Sequence, residues 1–286
     1  MAKSVLVTGA NSGIGLVTCL ELAAAGWNVV GTTRTAERAA LVHDAAGERG
    51  LTLRTVLLDV DDADSCAAGV AEAEELTGGL YALVNNAGFA RSGAVEDVTD
   101  EQVRAQLETN VVAPMRLARL VLPAMRSRGT GRIVNVSSIA GRLSTPLMGW
   151  YCASKHALEA VTDALRMEVD GDGVTVSLVE PGMFATEVWS AAKEGGFPAA
   201  STDRYAAAYA RGEALGARSQ SLPDPVWVAR TIRLALTNPV PLARYVVGAD
   251  AVGGILAEAV LPTVLADYLK ALSTGLRPRV RLPFLR

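Results

Sequence analysis

"SVLVTGANSGIGLVTCLELAAAG", residues 4–26, decides the fold. It opens as a short apolar run, passes through a loop rich in glycine, and continues with apolar residues at helical spacing. Gly26 then supplies a stop. A buried strand feeding a helix through a tight glycine turn is half of a βαβ unit. Gly9, Gly13 and Gly15 are spaced G-x3-G-x-G. Small residues there permit a sharp turn and let backbone N–H groups approach an anion at the positive end of the helix. A plain strand-to-helix turn has the same composition, so the loop alone does not settle its use.

The pattern repeats outward from this stretch. "NVVGTTR" (28–34), "LTLRTVLLDV" (51–60), "LYALVNNAG" (80–88), "RIVNVSS" (132–138), "VTVSLVEPG" (174–182) and "ARYVVGA" (243–249) are predicted strands. Helical segments fall between them, over 36–50, 62–77, from about 99 onward, and from about Tyr151 to 169. Strand and helix in alternation predict an α/β chain with a parallel sheet covered on both faces. With no repeat, low-complexity tract or linker, 1–286 is expected to form a single domain. Residues 183–225 break the rhythm as an irregular, partly helical insertion. A C-terminal extension follows over 250–286.

Composition narrows the function. Half of the 286 residues are hydrophobic and a fifth are charged, enough for a sizeable core, and the net charge of −3 carries no nucleic-acid footprint. Cys19, Cys66 and Cys152 make neither a disulfide framework nor a zinc spacing, which fits a reducing cytoplasm. His43 and His156 are too few for a histidine-rich metal site, so no metal is expected. The N-terminus runs into the first strand without an apolar signal region. "AVGGILAEAVLPTVLADYL" (251–269) contains Glu258, Pro262 and Asp267, and is expected to be a buried or interface helix rather than a membrane span. The basic, apolar "RPRVRLPFLR" that ends the chain suits an ordinary tail or a membrane-surface contact.

In an open parallel sheet, ligands bind at the carboxyl ends of the strands. Thr8, Gly9, Asn11, Ser12, Gly13, Ile14 and Gly15 stand at the first such end. The second reads "GTTR", with Thr33 where a carboxylate would bind a ribose 2′-hydroxyl and Arg34 just after. A guanidinium can pair with a 2′-phosphate in forked geometry, and an acid would repel it. This favours NADP(H), although Arg34 could also be simply solvated. Asp59 could accept from an adenine amino group with Val60 alongside, and Asn86, Ala87 and Gly88 follow the fourth strand. Asn and Gly also suit strand ends as turn residues.

Asn110, Ser138, Tyr151 and Lys155 each have an ordinary explanation when taken singly. With "TGANSGIG", "LLDV", "NNAG", "TNVVAP", "VNVSS", "YCASK" and "PGMFAT" in this order, the chain resembles the short-chain dehydrogenase/reductase family in its shorter form. The resemblance covers about residues 3–190. It implies a Rossmann-like doubly wound sheet, a nicotinamide cofactor and a catalytic tetrad of Asn110, Ser138 (rather than Ser137), Tyr151 and Lys155. It also implies that Pro181 and Gly182 border the nicotinamide, that Thr186 contacts its carboxamide, and that Phe184 is among the cofactor-binding residues. Lys155 would bind the nicotinamide ribose beside Tyr151, and Asn110 would support a water-mediated proton path through a local backbone distortion. A homodimer or homotetramer is implied through the helices over about 100–126 and 151–169.

The residue chemistry agrees with these roles. Reducing a ketone needs a hydride at carbon and a proton at oxygen. A free tyrosine has a pKa near ~10, and a nearby ammonium would lower it. Lowering it by about three units takes about 4 kcal/mol of differential stabilisation, which a partly buried Lys155 beside the cofactor is expected to supply. Residues 183–225 would act as a substrate lid. Met183, Phe184, Trp189, Phe197, Tyr205 and Tyr209 could form an apolar wall, with Leu143, Met148 and Trp150 across the cleft, unless these side chains only pack. The expected substrate is a small hydrophobic or aromatic carbonyl compound or secondary alcohol. A non-catalytic NADP(H)-binding protein and a related NADP-dependent epimerase or dehydratase are the alternatives.

Overall fold

The computed structural model of the chain describes residues 3–186, 202–216 and 221–276. Its centre is a parallel sheet of β1 (Ser4–Val7), β2 (Asn28–Thr33), β3 (Arg54–Leu57), β4 (Ala82–Asn85), β5 (Gly131–Val136), β6 (Val174–Pro181) and β7 (Arg244–Val247). The spatial order is β3-β2-β1-β4-β5-β6-β7. All seven expected strands form, each shorter than its apolar run because the run's end belongs to a loop. The chain begins at the middle of the sheet, works outward to β3, then returns to the other side of β1. The reversal opens a crevice between the carboxyl ends of β1 and β4, where such sheets take their ligands.

Successive strand residues point to opposite faces, and β1 shows what that does. Val5 and Val7 join a buried cluster with Cys19, Leu22, Val42, Ile232 and Leu236. Leu6 between them joins a second cluster with Val70, Leu117, Val121 and Met125. The first layer is thus built on α1 (Gly13–Ala24), α2 (Ala36–Gly47) and, from far along the chain, α8 (Val226–Thr237). The second is built on α3 (Ala63–Thr77) and α5 (Ala113–Arg128), with α6 (Gly149–Glu168) packed beside them. Apolar side chains covering both faces explain why the strands read as continuous hydrophobic runs.

The helix expected from about residue 99 is three pieces. α4 (Asp100–Leu107) begins at a capping box in which Thr99 and Gln102 satisfy each other's backbone N–H. A π-helical turn, Glu108–Val112, then widens the backbone before α5. The helix expected over 251–269 also needs correction. Pro262 has no N–H to donate, so the segment divides into α9 (Ala249–Val260) and α10 (Thr263–Ser273). Of the two placements expected for it, burial within the chain does not hold, since Leu256, Val260, Val264 and Leu269 are exposed. Of the insertion, α7 (Asp203–Gly216) is described. Trp189 and Phe197 lie outside the described residues, as does the "RPRVRLPFLR" tail. Among the described residues no helix is long and apolar enough to cross a membrane.

Polar side chains stitch the layers behind the crevice. The Asn85 amide donates to Asn135 Oδ1 at 2.8 Å and to the Pro114 carbonyl at 3.1 Å. The Asn135 amide donates in turn to Thr162 Oγ1 on α6 at 2.8 Å. All three side chains are buried, so losing one leaves its partners unpaired out of reach of water. Asn135→Ala is expected to lower the free energy of unfolding by about 1–3 kcal/mol, measured by urea denaturation. An unchanged midpoint would show that the network is not structural.

Candidate active site

The glycine loop closes because two contacts have no room for a side chain. Gly9 has a φ of 67°, and a Cβ there would stand 3.1 Å from the Ala87 Cα. A Cβ on Gly15 would collide with the Gly9 carbonyl and come within 2.6 Å of the Asn86 amide. Thr8 ties the loop to the end of β4: its hydroxyl accepts from the N–H groups of Asn86 and Ala87, both at 2.9 Å. The Asn86 amide donates back to the Thr8 carbonyl at 2.9 Å. At the start of α1, Ser12 makes no side-chain cap, so the first N–H groups of the helix are left for a ligand.

One cleft of about 340 Å³ runs from this loop across the strand ends. Gly9, Asn11, Ser12, Gly13 and Ile14 line its first part, with Arg34, Asp59 and Val60 beyond β2 and β3. Asn86, Ala87 and Gly88 form the middle, and Ser138, Tyr151, Lys155, Pro181, Gly182, Phe184 and Thr186 the far end. Three sequence-derived candidates stand behind the wall rather than on it: Thr8, Gly15 and Asn110. Arg38, Asp61 and Thr109 are wall residues that the sequence reading missed. Arg38 had a signal: it is a second arginine four residues after Arg34, in the first turn of α2. Asp61 and Thr109 meet only through the fold, with the threonine hydroxyl donating to the carboxylate at 2.7 Å. Burial is the main cause raising the Asp61 carboxyl above its usual range, and Thr109 opposes it.

The far end brings the four candidates of the tetrad into one neighbourhood. Tyr151 and Lys155 are both buried and one turn apart on α6, with the lysine Nζ 5.9 Å from the phenol ring centre. Lys155 donates to the Val136 carbonyl at 3.0 Å. Ser138 caps a 3₁₀ turn, Ile139–Gly141, by accepting from the Ala140 N–H at 3.1 Å. Asn110 sits in the π-helical turn and is fully committed. Its amide donates to the Phe89 carbonyl at 2.9 Å and to Ser154 Oγ at 3.0 Å, and its oxygen accepts from the Phe89 N–H at 3.1 Å. It holds the floor beneath Gly88 and does not face the cleft.

The electrostatics reverse one expectation. Burial pushes the Tyr151 phenol up to about 12, against the opposing hydrogen bond with Ser138. The expected depression by Lys155 is absent, because desolvation penalises the phenolate more than its neighbours stabilise it. The phenol therefore keeps its proton at neutral pH. Burial also pulls Lys155 down to about 8, with Glu159 opposing, so its ammonium is kept at neutral pH and lost soon above it.

Of the expected apolar wall, Phe184 lines this cleft. Phe184 and Met183 also border a second, apolar groove of about 580 Å³ with Trp227 and Val247. Met148 packs against the Tyr151 cluster, and Trp150 donates to the Val95 carbonyl at 3.2 Å. Tyr205 donates to Glu96 at 2.5 Å, and Tyr209 bonds the Asp97 carboxylate and the Ala94 N–H. The two tyrosines thus anchor α7 to the loop after β4.

Comparison with known proteins decides the family: the short chain dehydrogenase model matches residues 3–195. The chain belongs to the short-chain dehydrogenase family. It is 36% identical over 249 residues to an NADPH-dependent 3-dehydrocapnine reductase of Ornithobacterium rhinotracheale, covering 85% of this chain and 87% of that protein. A short-chain dehydrogenase from Streptomyces avermitilis superposes with a TM-score of 0.80 at 33% identity, covering 96% of this chain and 97% of that one. A variant of the actinorhodin polyketide ketoreductase, solved with NADPH, gives a TM-score of 0.75 at 30% identity over 89% and 97% of the two chains. This short-chain dehydrogenase is accordingly an oxidoreductase with a Rossmann-like fold.

A lysine whose ammonium is lost from about pH 8 predicts an alkaline limit to turnover. If the ammonium is required, kcat/KM for carbonyl reduction falls above about pH 8. In Lys155→Arg, whose guanidinium does not titrate there, that limb should disappear whatever rate remains. A limb that persists in the arginine variant would assign it to another group.

Proposed function

We propose that this oxidoreductase is an NADPH-dependent carbonyl reductase for a hydrophobic or aromatic ketone, with Tyr151 as the general acid. One observation carries the reading. Ser138, Tyr151 and Lys155 share the end of a cleft whose other end is a glycine loop at a helix N-terminus with Arg34 and Arg38 beside it. NADP(H) fits the residues present. The open N–H groups of α1 suit a pyrophosphate, Arg34 and Arg38 suit a 2′-phosphate, and the buried Thr33 leaves no carboxylate there to repel it. When bound, the cofactor supplies the hydride.

The remaining work falls to the protein. Ser138 donates a hydrogen bond to the substrate carbonyl oxygen and orients it toward Tyr151. The phenol, kept protonated by its burial, gives its proton to that oxygen as negative charge develops there. Lys155 stabilises the resulting phenolate with its ammonium and would hold the ribose hydroxyls of a bound cofactor. Asn110 acts through the backbone, fixing Phe89 and the π-helical turn beside the lysine. Pro181 and Gly182 line the cleft with Phe184 and would border the nicotinamide of a bound cofactor.

The relatives named above reduce 3-dehydrocapnine and a polyketide, and both are associated with NADPH. Those names support a ketone as the reacting group. Phe184 in the cleft, and the apolar groove it borders with Met183, Trp227 and Val247, support a hydrophobic body for the substrate. Residues 183–225 are the proposed lid, of which 183–186, 202–216 with α7, and 221–225 are described.

Two experiments test the reading. Purified protein is offered NADPH with a panel of hydrophobic ketones, aldehydes and acyl thioesters. Consumption is expected with a ketone, and Tyr151→Phe should lower kcat by about 10²–10⁴-fold with NADPH affinity retained. Failure to oxidise NADPH with any member, in protein that still binds it, would favour a non-catalytic role. Replacing Arg34 and Arg38 together by glutamate should weaken NADPH binding by about 10–100-fold, the loss of one or two charge-assisted hydrogen bonds. NADH binding should change far less. Equal weakening of both would remove the arginines from 2′-phosphate recognition.

A further inference from the structure

One turn of α6 beyond Lys155 stands Glu159, and its surroundings are unusual. The residue is buried. Its Oε2 accepts from Arg244 Nε at 3.1 Å, and the same nitrogen lies 3.1 Å from the fully buried carboxylate of Glu180 on β6. The other oxygen, Oε1, has only the buried Ser137 hydroxyl to turn to, and the two are not aligned as a close hydrogen bond. Both lie against Gly141, where a Cβ would come within 2.9 Å of Ser137 Oγ and of the Glu159 Cγ. The chain has left out a side chain to let the carboxylate in.

Stability is a poor explanation for such an arrangement. A buried carboxylate with one poorly partnered oxygen costs free energy that an apolar side chain of similar volume would not. Buried polar atoms left without partners call for another reason. Four residues of helix separate Lys155 from Glu159, which places them one above the other on one face. Lys155 is itself buried, with the Val136 carbonyl as its hydrogen-bond acceptor. A carbonyl dipole does not replace a full negative charge for an ammonium withdrawn from water.

We propose that Glu159 is the counter-charge that keeps Lys155 protonated, a positioning residue that acts on the reaction through the lysine. This rests on the role given to Lys155 above. The groups around the pair are accounted for. On α6 they are Tyr151, Asp163 and Arg166; on β6, Glu180; on β7, Arg244; beyond β5, Ser137 and Arg142. Arg244 also binds Asp163 at 2.6 Å, and Arg142 meets Glu180 at 3.3 Å. Burial and the Glu180 charge raise the Glu159 carboxyl, while Ser137 and Arg244 hold it down. Ser137 and Arg244 favour the ionised carboxylate, whose field also reaches the lysine.

The test reads the lysine directly. In the full-length protein labelled with [¹³Cε]lysine, Lys155 is observed beside Lys3, Lys193 and Lys270 and assigned by its loss in Lys155→Arg. Its midpoint in the unaltered protein is expected near pH 8. Glu159→Gln, and Glu159→Ala should glutamine not be accommodated, should lower that midpoint by about one unit. Glu159→Asp, which keeps the charge, should hold it within a few tenths. In parallel, the alkaline limb of kcat/KM for NADPH-dependent reduction of trans-1-decalone, the ketone probe, should move down by the same interval in Gln and Ala only. A midpoint unmoved in a folded neutral variant, or one that falls equally in Glu159→Asp, would overturn the proposal. The lysine signal needs no turnover. A protein that reduces no ketone yet shows the shifted midpoint would sink the reductase reading and leave the counter-charge standing.

Discussion

The structure depends on a close approach: the first turn of α1 lies so near the glycine loop and the end of β4 that Gly15 has no space for a Cβ. From that contact the rest of the geometry follows. Thr8 and Asn86 can bridge β1 and β4 only because the loop is this tight. With those strand ends fixed, the helix N-terminus, the arginines after β2 and the turn after β5 open onto one crevice. The reversal of strand order supplies the crevice, and the glycines let the backbone line it. Neither would make a binding site without the other.

Much of this was legible from the chain itself. The strands announced themselves because a sheet buried on both faces needs continuous apolar runs, and the runs were separated by helical spacing. The loop, the strand-end polar residues and the Tyr151–Lys155 spacing were visible as local patterns. What escaped was set by distance in space rather than in sequence. Asp61 and Thr109 meet across the crevice from segments 48 residues apart, and no periodicity marks such a pair. The apolar stretch around Pro262 was legible only in part, for a different reason. Composition reports how apolar a segment is, whereas exposure depends on whether the fold has a surface left to cover it.

The sign of the tyrosine shift was lost for the same reason. An ammonium four residues away suggests a stabilised phenolate, but the strength of that interaction depends on how much water both groups lose. Here both are buried. Burial acts on each in the direction of neutrality, raising the phenol and lowering the lysine. The tyrosine then holds its proton more firmly, while the lysine holds its own less firmly. For a group that must donate to a carbonyl oxygen, the first change is useful and the second is a hazard.

That asymmetry gives the buried charges behind the site a common logic. A lysine placed far enough inside to act on a phenol has given up the water that kept it charged, and the helix can return a charge only from the position one turn on. Glu159 occupies that position. Its own ionisation is held by Arg244, which Glu180 and Asp163 also engage, so the helix carrying the tyrosine is tied to the two strands at the sheet edge. The arrangement gives up packing for electrostatics: two buried polar atoms around Gly141 have no well-aligned partner, and the lysine stays an ion. In this reading the Tyr151–Lys155 pair is the visible part of a longer row on α6. The later members of that row determine whether the earlier ones can act at neutral pH.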